Sequence, residues 1–359
     1  MKTSTWSQAL AWRMRRQFLD TPGTGTAVDV ARRLAGVQAQ VASAAELAVA
    51  LRRAAPDPGA TARALWDDRT LVRTWAMRGT LHLLPADEAP AYLALCATVR
   101  TWEKGSWQKA AGMSPAELEA MATAATEALS GGASLTREEL TAEIVERTRS
   151  GHLAEALGSS WGSLLKPLAW WGILCFGPSQ GTKVTFRSPA AHIPGWQDPP
   201  PVEDAARTVL RAYFGAHGPA TMDAFDAWLM RKTHRRGDLK SWFALMTEEL
   251  TEIEVDGTRT FVLAEHLDEL LDTAPATGVR LLGGFDQYVL GAGTNAEYLI
   301  PPDRRSEVSR TAGWISPVVL HEGRVAGVWE PKNGMTMTLW RDVPTDQLTN
   351  EKTRIRTLL

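Results

Sequence analysis

The sequence predicts an α+β fold that is mainly helical and has a β-rich C-terminal part. Helix start and stop signals recur through the first two thirds of the chain. Two stretches show the order of three helices followed by a β-hairpin, and residues 279–359 contain several strand-like runs. The length of 359 residues indicates two or three domains.

The composition excludes several classes of protein. The 39 Lys+Arg nearly balance 41 Asp+Glu, so net charge alone does not bind this chain to nucleic acid, although a local basic groove remains open. Cys96 and Cys175 lie in separate apolar stretches, which predicts buried, reduced thiols. The N-terminus has the pattern of a helix, and no run approaches the ~18 apolar residues of a membrane span. We therefore expect a cytoplasmic protein without membrane contact.

The first predicted region is mostly helical. Residues 6–19 carry apolar side chains at helical spacing, and a second helix over 27–35 ends at Gly36. Residues 37–41 alternate apolar and polar, which predicts an extended segment. Residues 71–84 read as a short helix followed by a strand near Thr80–Leu83.

The second region opens at a strong helix start. Ser114 stands at the cap, Pro115 at the first helical position, and Glu117 three residues after the cap. A helix over 134–147 and a hairpin around the turn at 177–183 follow. Three helices and then a hairpin is the order of a winged-helix domain.

The same order returns after a Pro-rich linker at 188–203. Helices are predicted over 203–216, after Thr221 and over 238–249, and Asp256-Gly257 is a strong two-residue hairpin turn. Beyond them, residues 279–291 look like a strand, 314–330 form a hairpin turning at His321-Glu322-Gly323, and 335–342 form a further strand. The predicted domains are 1–112 (winged-helix-like), 113–190 (winged-helix), 191–278 (winged-helix) and 279–359 (β-rich, with a hairpin).

The segment Gly36-Val37-Gln38-Ala39-Gln40 is the candidate for chemistry. In an extended or bent stretch, Gln38 and Gln40 project to the same side and together can hold one water. The alternative is that both carboxamides cap nearby backbone at a corner between helices. Standard enzyme motifs such as GxGxxG after a strand, GxxxxGK[ST], HExxH and GxSxG are absent, and the seven His have no metal-ligand spacing.

Four motifs in order resemble one family. They are residues 36–40, Met77–Leu83 (MRGTLHL), Gly284–Gly291 (GFDQYVLG) and 317–327 (PVVLHEGRVAG). The chain is similar to the AlkZ-like winged-helix DNA glycosylases, a family that includes a crosslink-unhooking enzyme. This resemblance implies tandem winged-helix domains in a C-shaped arrangement, excision of N7- or N3-alkylated purines, and catalysis by Gln38 and Gln40. It also implies double-stranded DNA as partner, a monomer, and no metal or organic cofactor.

Binding to DNA is expected from local positive charge and from residues near the glutamines. For each basic cluster, a solvated helix face is the competing interpretation, and His82 is equally typical of a hydrogen-bonded core histidine. Asp286 is interpreted as a buried structural acid, and the 15 Trp mainly as core. The candidate DNA-binding residues are Arg13, Arg16, Arg33, Arg78, His82, Arg231, Lys232, Arg235, His321 and Arg324.

Two other functions fit the predicted fold. A non-catalytic winged-helix transcription regulator recognises undamaged sequence, usually as a symmetric dimer, whereas a monofunctional glycosylase releases a free base. A winged-helix scaffold for protein interactions would not bind DNA at all.

Overall fold

The computed structural model describes residues 1–159, 162–331 and 335–358. Its helices are α1 (Trp6–Arg16), α2 (Ala27–Arg33), α3 (Ala42–Ala50), α4 (Ala60–Trp66), α5 (Ala89–Ala97), α6 (Gly105–Ala111), α7 (Pro115–Leu129), α8 (Arg137–Thr148), α9 (Gly151–Ser159), α10 (Lys166–Trp170), α11 (Pro189–His192), α12 (Val202–His217), α13 (Met222–Met230), α14 (Arg236–Ala244), α15 (Leu267–Leu271), α16 (Gln287–Ala292), α17 (Arg305–Val308) and α18 (Thr345–Arg356). Its strands are β1 (Lys2–Ser4), β2 (Val37–Gln38), β3 (Leu71–Trp75), β4 (Leu81–Pro85), β5 (Ser134–Thr136), β6 (Cys175–Gln180), β7 (Lys183–Arg187), β8 (Leu250–Val255), β9 (Thr258–Leu263), β10 (Val279–Leu282), β11 (Val318–His321), β12 (Arg324–Glu330) and β13 (Thr336–Leu339).

The chain forms two compact units. The first unit comprises Met1–Thr61 and Val209–Leu359, and the second unit comprises Ala62–Thr208. The N-terminus belongs to the first unit because β1 runs parallel to β8, with Lys2 opposite Ile253. The two units do not follow the predicted boundaries, because the first unit joins the N-terminal residues to the C-terminal half of the chain. The division into four consecutive domains stays a prediction.

The first unit contains two sheets. One has the order β1-β8-β9, and the other is an antiparallel sheet of order β10-β11-β12-β13. The main core packs against the second sheet and includes Leu281, Val319, Tyr288 and Trp329, each at most 1 % exposed. Burial of these large apolar side chains is the main contribution to the stability of this unit.

Helices α12, α13 and α14 precede the β8–β9 hairpin, in the predicted order. The Thr221 hydroxyl caps α13 by accepting a hydrogen bond from the Ala224 amide. The hairpin turns at Asp256-Gly257, where both residues have positive φ (44° and 79°), as that turn type requires.

The second unit combines helices with two groups of strands. Strands β3 and β4 form an antiparallel hairpin, and β5, β7 and β6 form a sheet in that order. Helix α7 begins with the predicted capping box of Ser114 and Glu117. Trp75, Phe176 and Phe186 form an aromatic cluster with ring centroids 4.7 to 5.9 Å apart. Trp102 is also buried and packs on Trp171, which fits the interpretation of the tryptophans as core.

Three predictions of secondary structure were wrong. Leu71–Trp75 is a strand rather than a helix, because its β-branched and aromatic residues pair with β4. Only the start of 279–291 is a strand, since the Asp286 carboxylate accepts a hydrogen bond from the Tyr288 amide and starts α16. The C-terminal part also ends in a helix, α18, whose buried Leu348 and Ile355 pack on the core.

Among the described helices, none is long and apolar enough to cross a membrane. Both cysteines are buried and unpaired, and burial raises the pKa of Cys175 to about 12, so its reactive thiolate form is suppressed.

Candidate active site

The Gln38–Gln40 segment begins at a tightly defined end of helix α2. The Gly36 amide donates to the Ala31 carbonyl at 2.8 Å, and the Ala35 amide donates to the Arg32 carbonyl at 3.1 Å. These two bonds form a Schellman motif, in which Ala35 has a φ of 55° and Gly36 a φ of 96°. The left-handed position is therefore Ala35, one residue before the predicted Gly36. A left-handed alanine is a strained conformation that the surrounding structure holds in place.

The two glutamines differ in exposure. After the turn the chain runs extended through β2 and bends at residues 40–41 before α3 begins. Gln38 is only 6 % exposed, whereas Gln40 is exposed to solvent. The extended geometry predicted for this segment is confirmed. One carboxamide is thus fixed inside the protein, and the other stands at its surface two residues further on.

A cavity of about 480 Å³ opens next to this segment in the first unit. Val41, which directly follows Gln40, lies in its wall. Its aromatic side is formed by Phe285 and Trp314, whose rings meet edge to face with centroids 5.1 Å apart. Trp314 is 45 % exposed, which is unusual for so large an apolar side chain. The remaining wall residues are Ser43, Ala44, Leu47, Gly283, Gly284, Arg310, Ser316, Pro317, Trp329, Glu330 and Pro331.

The motif Met77–Leu83 lies in the second unit and contains a buried histidine. The His82 ring is fully buried, with Nδ1 3.0 Å from the Thr80 carbonyl and Nε2 3.4 Å from Arg78 Nη2. In this arrangement Nδ1–H donates to Thr80 and Nε2 accepts from Arg78, which requires a neutral ring. Burial, together with the positive charge of Arg78, lowers the pKa of His82 to about 3.

Two of the predicted DNA-binding residues are instead core residues. Arg13 is 0 % exposed, and its guanidinium donates to the Pro219 carbonyl at 3.4 Å. His82 is likewise 0 % exposed, so the alternative of a hydrogen-bonded core histidine is confirmed. Neither side chain reaches solvent, because both face the interior of the protein, and this burial argues against the prediction that they contact DNA.

Other predicted contacts are half-buried and already bonded to the protein. Arg16 donates to the Gly215 carbonyl at 3.2 Å, and Arg324 donates to the Tyr298 carbonyl at 2.6 Å. Arg33 lies over the Phe18 ring at 4.8 Å. Burial lowers the pKa of Arg16, and the neighbouring charge of Arg33 lowers it further, so these two cations lie close together. Their role in DNA binding stays a prediction.

The remaining predicted contacts lie at turns. Arg231, Lys232 and Arg235 are exposed and connect α13 to α14. His321 is half-buried beside the predicted hairpin turn, where Glu322 and Gly323 have positive φ. Gly323 itself is buried, and its carbonyl accepts a hydrogen bond from the Tyr288 hydroxyl at 2.8 Å. The tip of this hairpin is therefore anchored to the core.

Asp286 is the structural acid that the sequence predicted. Its carboxylate forms two hydrogen bonds with the Arg52 guanidinium, at 2.7 and 2.8 Å, and both side chains are 0 % exposed. Such a bidentate pair is the geometry in which a buried charge is tolerated. Arg52 was missed because nothing in its local sequence distinguishes it from an exposed helix-end arginine. Within residues 1–159, 162–331 and 335–358, no group of three or more His, Cys, Asp or Glu side chains is placed to hold a metal ion.

The chain matches a known family of enzymes over most of its length. The family described as "DNA glycosylase AlkZ-like" matches residues 31–353, so this chain belongs to that family and is a DNA glycosylase. Family membership confirms the resemblance carried by the four motifs and favours the enzyme over the transcription regulator.

Two comparisons with Streptomyces sahachiroi proteins agree with this assignment. The chain is 52% identical over 334 residues to the "Interstrand DNA cross-link repair glycosylase". This match covers 92% of this chain and 88% of the relative. It is also similar to the solved structure of "DNA glycosylase AlkZ", with a TM-score of 0.94 and 48% identity over 98% of this chain and 95% of the other. The mixed α+β fold is therefore shared with that structure.

Proposed function

We propose that this glycosylase hydrolyses the N-glycosidic bond of N7- or N3-alkylated purines in double-stranded DNA, including bulky adducts or interstrand crosslinks. The observation that carries the proposal is the segment Gln38–Gln40, where a buried and an exposed carboxamide lie two residues apart after a rigid turn. The name of the 52% identical relative, an interstrand cross-link repair glycosylase, supports crosslinks as substrates.

The chemistry of the lesion suits two neutral side chains. Alkylation at N7 gives the purine a positive charge, so the base leaves as a neutral molecule without strong acid catalysis. As the bond to C1′ breaks, positive charge develops on the sugar, and the oxygen atoms of Gln38 and Gln40 stabilise it and accept hydrogen bonds from the attacking water. A carboxamide is a weak base, so positioning and electrostatics supply most of the rate increase.

The cavity beside Gln40 supports the proposal that bulky adducts are substrates. It is mostly apolar, it begins at Val41, and Phe285 and Trp314 offer aromatic surface to a planar group carried by the modified purine.

We also propose that α7–β7 and α12–β9 each act as a winged-helix domain. Their C-shaped arrangement stays a prediction from the resemblance.

The test is base release under single-turnover conditions from duplexes with 7-methylguanine or with a bifunctional N7 crosslink. We expect release from the wild type, and a rate lowered more than about tenfold by Gln38→Ala or by Gln40→Ala with DNA affinity retained. Gln197→Ala is the matched control, because Gln197 is an exposed glutamine whose amide donates to the Gly195 carbonyl in its own turn. An unchanged rate in the Gln38/Gln40 double variant contradicts the proposed roles, and no release from any alkylated duplex contradicts the proposed substrate.

A further inference from the structure

We propose that Gln17 and His217 are positioning residues that hold the Gln38–Gln40 segment in its reactive conformation. They belong to a buried relay of hydrogen bonds that starts at Asp286 and ends at the backbone of helix α2. This inference rests on the proposed role of the two glutamines, and it gives a function to buried polar residues that the glycosylase chemistry does not use directly.

The relay contacts both helices that flank the glutamine segment. At one end, His217 Nε2 lies 3.2 Å from the Leu34 carbonyl, at the end of α2 and four residues before Gln38. At the other end, Arg52 follows α3 and its Nη1 donates to the Ala48 carbonyl at 2.9 Å. Helix-terminal carbonyls have no partner within their own helix, so a side chain that binds one fixes where that helix ends. The relay thus fixes the end of α2 directly and, through Arg52, the far end of α3.

The charged end of the relay is fully compensated. The carboxylate of Asp286 receives two hydrogen bonds from Arg52, and both side chains are completely buried. The same guanidinium extends a longer contact of 3.5 Å from Nη2 to Gln17 Oε1. Because Arg52 can only donate, Gln17 must present its oxygen at this contact.

That requirement sets the orientation of every following group. With Oε1 facing Arg52, the Gln17 Nε2 donates to the Ala216 carbonyl at 3.0 Å and lies 3.1 Å from His217 Nδ1. His217 Nδ1 then accepts, which leaves Nε2–H to donate to the Leu34 carbonyl. Only one amide orientation and one ring tautomer satisfy all four contacts, and hydrogen bonds in such a buried chain reinforce one another.

The Gly284–Gly291 motif supports this relay at two points. Asp286 supplies the charge, and Gly291 leaves space for the imidazole, since a Cβ built at Gly291 would lie 2.0 Å from His217 Nδ1. A side chain at this position would push the ring away from Leu34. We therefore infer that the Gly284–Gly291 motif stabilises the conformation of residues 36–40, although the two segments lie far apart in the sequence.

The decisive comparison uses two substitutions of His217. Phenylalanine keeps the volume of the ring but removes both hydrogen bonds, whereas glutamine can accept from Gln17 and donate to Leu34. Thr260→Val is the matched control, because Thr260 is also fully buried in the first unit and its hydroxyl donates to a backbone carbonyl, that of Ile253, at 3.0 Å. The measurements are the single-turnover release of 7-methylguanine at saturating enzyme, the half-saturating enzyme concentration, and the melting temperature.

At a temperature where the variant is folded, we expect His217→Phe to slow base release about tenfold to a hundredfold, because displacement of a reacting group by about 1 Å has this cost. The half-saturating enzyme concentration should change little. We expect His217→Gln to recover most of the rate. Thr260→Val should lower the melting temperature without slowing release. If His217→Phe does not fold, Gln17→Met, which removes the central link, takes its place with the same expectation.

Two results overturn the inference. One is a His217→Phe rate within about twofold of the wild type, and the other is an equal loss of rate in His217→Phe and His217→Gln. Gln38→Ala is measured in parallel so that the two proposals fail separately. If Gln38→Ala keeps the wild-type rate, the proposed function of the glutamines is wrong. If Gln38→Ala is slow and His217→Phe is not, only the relay is wrong.

Discussion

Two arginine-rich stretches of the first unit look alike in the sequence but differ in how many of their cations are buried. In helix α1, Arg13 is completely buried and Arg16 is half-buried and bonded to the Gly215 carbonyl. Between α13 and α14, the Arg and Lys side chains are all exposed. They are Arg231, Lys232 and Arg235.

The neighbouring residues explain the difference. Helix α1 carries Trp6, Leu10 and Trp12, whose burial draws the helix into the core, so an arginine between them must find carbonyls and aromatic faces inside the protein. Arg231 and Lys232 both have positive φ, in a turn that runs over the surface. A cluster of arginines therefore indicates nucleic-acid contact only where the local structure leaves it exposed, which the sequence of a helix does not by itself decide.

The largest expected effect comes from removing the counter-charge of a buried arginine, Arg52. Asp286→Asn leaves the Arg52 guanidinium without its counter-charge inside the protein, and we expect a loss of about 3–5 kcal/mol in the free energy of unfolding. Chemical denaturation monitored by Trp fluorescence measures it. The control is Asp223→Asn, which removes the partner of Arg236 in a pair whose two side chains are more than half exposed. We expect this variant to lose less than about 1 kcal/mol in the free energy of unfolding. Equal losses in the two variants contradict the assignment of Asp286 as a structural acid.

Local signals were predictable from the sequence, and long-range partners were not. The turn at Asp256-Gly257 and the extended segment after Gly36 were predicted because each depends on the conformational preferences of adjacent residues. The Arg52–Asp286 pair joins residues 234 positions apart, and no local pattern marks it. The GFDQYVLG motif was interpreted as a strand for a different reason: its apolar composition outweighed a local signal, the Asp286 carboxylate that caps α16.

The family motif indicated Gln38 and Gln40 as the proposed catalytic residues, whereas the residues that we propose position them are recognisable only in the structure. Gln17 directly follows α1 and His217 is the last residue of α12, and nothing in their local sequence marks either one as a partner of the other. Their contacts with each other and with Leu34 require the packing of these helices. A sequence can thus indicate which residues perform the chemistry while leaving open which residues hold them in place.

The second expected effect tests the exposed basic residues between α13 and α14. If the three basic residues between α13 and α14 contact phosphates, their joint replacement by Gln lowers the slope of log affinity against log salt by about 2.7, because each contact contributes about 0.9. The matched control carries the same charge change at three exposed residues that are paired with acids. These are Lys2, Arg211 and Arg259. Fluorescence anisotropy with a labelled duplex at several salt concentrations gives the slopes, and equal slopes for the two triple variants rule out a specific contact.

The smallest expected effect concerns Trp314, an exposed apolar side chain. If its ring packs against a planar group on the modified purine, Trp314→Ala slows release of a bulky aromatic N7 adduct about threefold to tenfold, since one aromatic contact contributes about 0.5–1.5 kcal/mol. Release of 7-methylguanine, which carries no such group, should not change. Leu339→Ala is the control, because Leu339 is a similarly exposed apolar residue outside the wall of the cavity. An equal effect of Trp314→Ala on both substrates contradicts a contact with the adduct, because it places the tryptophan in a step common to all lesions.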